Sequence, residues 1–254
     1  MNTMGSYLVT GVANEWSIAW AIAEQLLAEG SECFVVCHPN HHGRVRRLMA
    51  RYNAERNLFD LEVASDESLQ TLAAVIASRT DTLLGLLHSI AFADGAELQS
   101  GILATSRHGF GVAMDRSVFS FLALVRDLAP RLGTQSSVVT LSYYGAQKCM
   151  PGYGVMGVAK AALESLVRYL AAELGPRGVR VNAVSAGPIA TLSSSVFPDI
   201  HDQVERAAAA APLRRATSQS DVADVVRFLF SPASAAISGQ CVFADHGLSS
   251  LGGG

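Results

Sequence analysis

The chain has 254 residues, 50% of them hydrophobic and 16% charged, with a formal net charge of −3. That balance lacks the strongly basic footprint of a nucleic-acid binder, and no uncharged apolar run reaches the roughly 18 residues that suggest a membrane span. The opening MNTMGSYLVT has no basic region followed by a long apolar run, so no secretory leader is expected.

Short apolar runs alternate with helical patterns from end to end. Ser6–Thr10 reads as a strand, and residues 17–29 as a helix closed by Gly30. Glu32–Cys37 reads as a strand and residues 42–52 as a basic amphipathic helix. Residues 57–62 form a weaker strand, and residues 66–78 a helix with Asp66 as N-cap. Residues 82–88 are a strand, and residues 111–132 read as one long helical stretch. Residues 137–141 are a strand, and residues 153–174 a helix ended by Gly175 and Pro176. A strand over 179–184, a helix over 220–230 and a strand over 240–244 complete the pattern; residues 252–254 read as a loose tail. Strands alternating with helices predict an α/β fold: one domain over 1–254, with a Rossmann-type, doubly wound parallel sheet in three α/β/α layers. In such a sheet, ligands bind beyond the carboxyl ends of the strands.

The four cysteines are Cys33, Cys37, Cys149 and Cys241. Cys33 and Cys37 lie on one predicted strand, too far apart to chelate one ion easily, and read as core thiols of a reduced, cytoplasmic protein. His38, His41 and His42 cluster without an adjacent carboxylate or a closed cysteine set, so no metal site is expected.

After the first strand, Gly11 permits a tight turn, and Ser17 and Ile18 open a helix whose N-terminal N–H groups suit a pyrophosphate. An ordinary strand-to-helix turn gives the same pattern, since no G-x-G-x-x-G is present. The second strand ends at His38 with no acidic residue for a ribose. Arg44, Arg46 and Arg47 follow, either accommodating a 2′-phosphate or forming a solvated helix face. Glu62 and Val63 follow the third strand. Ser89, Ile90 and Ala91 follow the fourth, where small side chains let the backbone lie close to a ribose.

Ser142-Tyr143-Tyr144-Gly145 follows the fifth strand. Tyr153 and Lys160 then stand nearly two turns apart on one helix face. A phenol can donate to a substrate oxygen, and a nearby ammonium lowers its pKa and holds ribose hydroxyls. Glycines at 152, 154 and 157 leave room for a flat ring, and Gly187-Pro188-Ile189 follows the sixth strand.

These segments, VTGVANEWSIA, LLHSIAFA, TLSYYGA, the run from PGYGVMGVAK to SAGPIATL, and ISGQCVFADHG, resemble the enoyl-acyl carrier protein reductases of bacterial type II fatty acid synthesis. That group is a divergent branch of the short-chain dehydrogenase/reductases, marked by six rather than three residues between Tyr and Lys. The resemblance implies reduction of a trans-2-enoyl thioester, linked to acyl carrier protein, by NADH or NADPH. It implies that Tyr153 donates to the thioester carbonyl, that Lys160 holds the nicotinamide ribose, and that Tyr143 lines the substrate pocket. It places Gly11, Ser17, Ile18, His38, Glu62, Val63, Ser89, Ile90, Ala91, Lys160, Ile189 and Thr191 at cofactor positions. It places Ala91, Phe92, Tyr143, Met156, Val196, Phe197 and Ile200 around the acyl chain, within a substrate loop over about 190–215. A homotetramer is implied, with residues 111–132 and 153–174 as contacts, although burial within one chain explains the same apolar faces.

This sequence departs from the family pattern where Lys and Arg usually follow the Gly-Pro-Ile loop. Val196-Phe197-Pro198-Asp199-Ile200-His201-Asp202-Gln203 carries two carboxylates and neither base; Arg206, Arg214 and Arg215 come later. An acidic carrier is drawn to a basic patch. The alternative is therefore a reductase of a specialised secondary-metabolite pathway, acting on a CoA thioester, a small molecule, or another conjugated alkene or carbonyl.

Overall fold

The computed structural model describes residues 5–197 and 199–251; Pro198 and the predicted tail over 252–254 lie outside them. Seven strands pair in parallel in the order β3-β2-β1-β4-β5-β6-β7. They are β1 (Ser6–Thr10), β2 (Glu32–Cys37), β3 (Leu58–Asp60), β4 (Leu83–His88), β5 (Leu132–Tyr143), β6 (Arg180–Ala186) and β7 (Cys241–Ala244). The chain winds one way from β1 through β2 to β3 and then returns to β4 on the other side of β1. The crevice between the ends of β1 and β4 is thus the topological switch point.

The helices are α1 (Ile18–Ala28), α2 (His42–Ala50), α3 (Asp66–Arg79), α4 (Gly95–Gln99), α5 (Arg107–Met114), α6 (Ser120–Leu128), α7 (Gly154–Leu174), α8 (Ile200–Ala210) and α9 (Gln219–Phe230). Strand alternation divides the core between two faces. Tyr7, Val9, Val35 and Val139 pack against α1, α2 and α9 through Trp20, Met49 and Val226. Leu8, Phe34, Val36 and Val138 point the other way, onto α3, α6 and α7 through Ile76, Phe121 and Leu163. Each such aliphatic side chain contributes roughly 1.5–3 kcal/mol when fully buried. The result is the expected three-layer sandwich.

Three expectations need correction. The helical stretch predicted over 111–132 is continuous but runs over 107–131 and is not α-helical throughout. A π turn over Asp115–Phe119 separates α5 from α6, the helix ends at a turn containing Pro130, and β5 already begins at Leu132. Ser65, not Asp66, caps α3, its Oγ accepting from the Ser68 N–H at 3.2 Å. The third strand keeps only three residues. Among the described residues, no helix is long and apolar enough to cross a membrane.

Candidate active site

A cavity of about 560 Å³ opens at the switch point, lined by residues that follow β1, β4, β5 and β6 and by α7 and α8. Gly11 adopts φ +85°, and a Cβ there would lie 1.9 Å from the Ser89 carbonyl oxygen. Only glycine lets the first loop approach the β4 end so closely. Ser17 sits at the cap position, but its Oγ accepts from the N–H groups of Ala13 and Asn14 at 3.1 and 3.0 Å instead of capping α1. The side chain thus shapes the loop. The N–H groups of Ile18 and Ala19, in the first turn of α1, have no acceptor inside the helix.

After β4, the backbone of Phe92 is clamped on both sides by Ser117. Its N–H donates to Ser117 Oγ at 2.9 Å, and that hydroxyl donates to Phe92 O at 3.1 Å. Ser117 is fully buried and lies within the π turn, a helical irregularity common at functional sites. Beneath this strip His88 is fully buried, between Thr140 Oγ1 at 3.0 Å and Ser120 Oγ at 2.9 Å. Ser120 donates its proton to Arg116 O, so Nε2 carries the imidazole proton, while the one Thr140 hydroxyl proton has two acceptors within reach, His88 O at 3.2 Å and Nδ1 at 3.0 Å. Burial, reinforced by the charge of Lys160, pushes the His88 pKa down to about 3. Neither Ser117 nor His88 carries a sequence signal for these roles, because the partners arrive only through tertiary packing.

Tyr143 ends β5 and Tyr153 caps α7, their rings meeting edge to face at 4.9 Å between centroids. Phe197 lies 5.8 Å from the Tyr153 ring. A Cβ on Gly145 would lie 2.5 Å from Tyr153 Cδ1, so that glycine gives the ring its place. Lys160 is buried, and Nζ donates to Leu141 O at 2.7 Å. Burial lowers its pKa to about 8, and the carboxylate of Glu164 opposes the drop. Glu164, one turn further along α7 and also buried, accepts from Ser142 Oγ at 2.6 Å, Gln147 Nε2 at 3.1 Å and Cys241 Sγ at 3.4 Å.

The expectation that the ammonium lowers the tyrosine pKa is not met. Burial, with Tyr143 alongside, holds the Tyr153 phenol well above its ordinary value, while Lys160 turns to a backbone carbonyl. Tyr143 is raised too, by burial and then by Tyr144. Both phenols therefore keep their protons and have a hydrogen to donate.

Of the predicted site residues, Gly11, Ser17, Ile18, Ser89, Ile90, Ala91, Phe92, Tyr143, Tyr153, Met156, Lys160, Ile189, Thr191, Val196, Phe197 and Ile200 all line this cavity. His38, Glu62 and Val63 do not. They lie at the ends of β2 and β3, beyond the cavity, where His38 Nε2 stands 3.4 Å from Glu62 Oε2. His38 Nδ1 accepts from the Asn40 N–H, and Glu62 Oε1 from the Ala64 N–H. The cavity wall also includes Leu98, Met150, Pro151 and Gln203, which the sequence did not single out.

The arginines after the loop have local partners. Arg206 pairs with Asp199 at 3.4 Å, Arg214 donates to Ala209 O, and Arg215 lies 3.3 Å from Asp221. Asp202 and Glu205 remain exposed on α8.

A dinucleotide fits this frame: the Gly11 cradle would be filled by any Cβ, it faces the first turn of α1, and the wall continues to Lys160 and Thr191. Comparisons with known proteins agree. A family model described as "Enoyl-(Acyl carrier protein) reductase" matches residues 11–249. The enoyl-[acyl-carrier-protein] reductase [NADH] of Aquifex aeolicus is 40% identical over 247 residues, covering 96% of this chain and 91% of its own. The Escherichia coli enzyme of the same name is 41% identical over 244 residues, covering 95% and 93%. The A. aeolicus crystal structure superposes with a TM-score of 0.93 at 39% identity, covering 98% of both chains. A Bacillus cereus enoyl-acyl carrier protein reductase with NADP+ and indole naphthyridinone gives 0.94 at 37% identity, covering 98% and 97%. An Anaplasma phagocytophilum reductase with NAD gives 0.91 at 35%, covering 98% and 95%.

Proposed function

The chain belongs to the enoyl-[acyl carrier protein] reductase family, and we propose from that premise how its own residues carry the reaction. It is an oxidoreductase that reduces a trans-2-enoyl thioester to the saturated acyl thioester with NADH or NADPH. The observation that carries the assignment of roles is the convergence of Tyr153, Tyr143 and Lys160 on one apolar-walled cavity that begins at Gly11.

When bound, the reduced nicotinamide supplies a hydride to C3 of the enoyl chain. Gly11, Ser17, Ile18, Ser89, Ile90, Lys160, Ile189 and Thr191, which line the cavity, would hold the cofactor. Tyr153 donates its phenolic hydrogen to the thioester carbonyl oxygen, where negative charge accumulates. A preorganised donor in a dry site stabilises such charge more than water does. Its raised pKa suits this role, because the hydroxyl stays a donor throughout. The charge of Lys160 adds to the same field. Phe92, Met156, Val196, Phe197 and Ile200 form an apolar wall that seats the acyl chain and excludes water.

The test is oxidation of NADH and NADPH by purified protein with trans-2-enoyl groups on acyl carrier protein and on CoA. Turnover on the carrier-linked substrate is expected. Failure with every enoyl thioester, despite cofactor binding, would overturn the assignment. The exposed carboxylates of α8, with Arg206, Arg214 and Arg215 locally engaged, favour a second reading for delivery: a dedicated carrier, a CoA thioester or a small molecule of a specialised pathway. Faster turnover of CoA thioesters than of carrier-linked ones supports that reading.

His38, Glu62 and Val63 stand where the adenosine end would extend beyond the cavity, and the exposed Arg44 lies on the adjoining helix. Arg44→Ala weakening NADPH more than NADH would support a phosphate-reading role. We also place the protein in the cytoplasm as a homotetramer. Exposed Phe110, Phe119, Val158 and Tyr169 on α5, the π turn and α7 support that assembly, and sedimentation equilibrium measures it.

A further inference from the structure

At the carboxyl ends of β2 and β3, outside the cavity, three different donor atoms converge. Cys37 and Asp60 are direct partners in the parallel ladder, and the Leu61 N–H closes the pair onto Cys37 O at 2.9 Å. Cys37 Sγ lies 3.7 Å from Asp60 Oδ1, and His42 Nδ1, from the first residue of α2, lies 2.8 Å from the same oxygen. All three donors fall within 4.8 Å of one another. The sequence could not show this set. Its histidine cluster lacks a neighbouring carboxylate, and Asp60 reaches it only through the register of a three-residue strand.

We propose that Cys37, His42 and Asp60 form a binding site for a divalent transition-metal cation of the zinc type. One thiolate, one imidazole and one carboxylate suit such an ion, whereas magnesium and calcium take oxygen donors. The ligand charges of −1, 0 and −1 neutralise a dication, and the Cys37 proton leaves as the metal–sulfur bond forms. A tetrahedral zinc ion would set sulfur and oxygen about 3.6 Å apart and nitrogen and oxygen about 3.4 Å apart. The first spacing is already present, and the second needs the His42 ring to withdraw by about half an ångström. Cys37 is buried at 1% exposure, while the side chains of His42 and Asp60 are 40% and 46% exposed. Solvent therefore reaches the site from one side, leaving water for a fourth position. Without metal, burial and the Asp60 charge hold the thiol proton, pushing its pKa up to about 12. A bound dication reverses that balance. The proposal is independent of the reaction assigned above.

The test is titration of the full chain, stripped with a chelator, with Co²⁺. One equivalent should bind with a thiolate-to-cobalt charge-transfer band, and Zn²⁺ should displace it. Cys37→Ser should abolish the band and Cys149→Ser should leave it unchanged. Should Cys37→Ser fail to fold, the half-exposed His42→Ala and Asp60→Asn changes decide the matter, each weakening Co²⁺ roughly tenfold or more. Absence of the band in the wild type, its survival in a folded Cys37→Ser protein, or unaltered affinity in both other variants would overturn the site.

Discussion

Changing Glu164 to Gln leaves the size and polarity of the side chain nearly intact but removes the charge that supports Lys160. The two residues are one helical turn apart and both buried. At about 6 Å and an effective dielectric of about 20, one carboxylate stabilises the ammonium by about 3 kcal/mol, or about two decades in its proton equilibrium. The remaining amide dipole recovers part of that. With the Lys160 pKa already lowered to about 8 in the intact protein, the variant should hold it lower still. The sign is fixed: losing a nearby negative charge makes the cation easier to deprotonate, so activity fails at lower pH. Steady-state kcat/KM from pH 5 to 10, with circular dichroism to confirm folding, measures the alkaline limb. An alkaline limb unchanged in Glu164→Gln, while Lys160→Ala is inactive, would refute the coupling of Glu164 to Lys160.

Other consequences are equally direct. Gly11→Ala should abolish reduced-cofactor binding, read by fluorescence titration, because its Cβ meets the Ser89 carbonyl at 1.9 Å on a backbone with φ +85°. Tyr153→Phe should lower kcat roughly 10²-fold with cofactor affinity retained, the usual cost of losing one oxyanion donor. His88, whose folded pKa lies near 3 against an ordinary 6.5, binds its proton more readily unfolded. Its neutral form contributes stability that is lost as pH falls below about 6.5, at up to about 1.4 kcal/mol per pH unit. Urea melts between pH 7 and 4 should show this slope, and it should flatten in His88→Asn. Ser117→Ala should release the Phe92 backbone and raise KM for the enoyl thioester more than it lowers kcat.

Much of this was legible in the sequence because it depends on local pattern. The apolar strands, the Gly11 turn and the helix carrying Tyr153 and Lys160 each announce themselves within a few residues, and the acyl-side wall follows from the family resemblance. What escaped depends on contacts between distant segments. The helical stretch was legible, but the π turn within it was not, because five wider-wound residues leave the run continuous and only the Ser117–Phe92 contact shows their use. Glu164 looks like any surface carboxylate on an amphipathic helix until Ser142, Gln147 and Cys241 close around it. Asp60 joins Cys37 only through strand register. The direction of the Tyr153 pKa is not legible in the sequence, because a shared helix face gives proximity, whereas burial decides the energetics.

The central claim is that this cavity delivers hydride to C3 of a trans-2-enoyl thioester while Tyr153 holds the carbonyl. It is tested most directly with nicotinamide deuterated at the transferable C4 position, in ordinary water, using carrier-linked and CoA-linked crotonyl substrates. Mass spectrometry of the saturated product should find the deuterium at C3 and a solvent proton at C2, with the rate falling sharply in Tyr153→Phe. Label at a carbonyl carbon, no transfer to either thioester, or full turnover without the Tyr153 hydroxyl would contradict it.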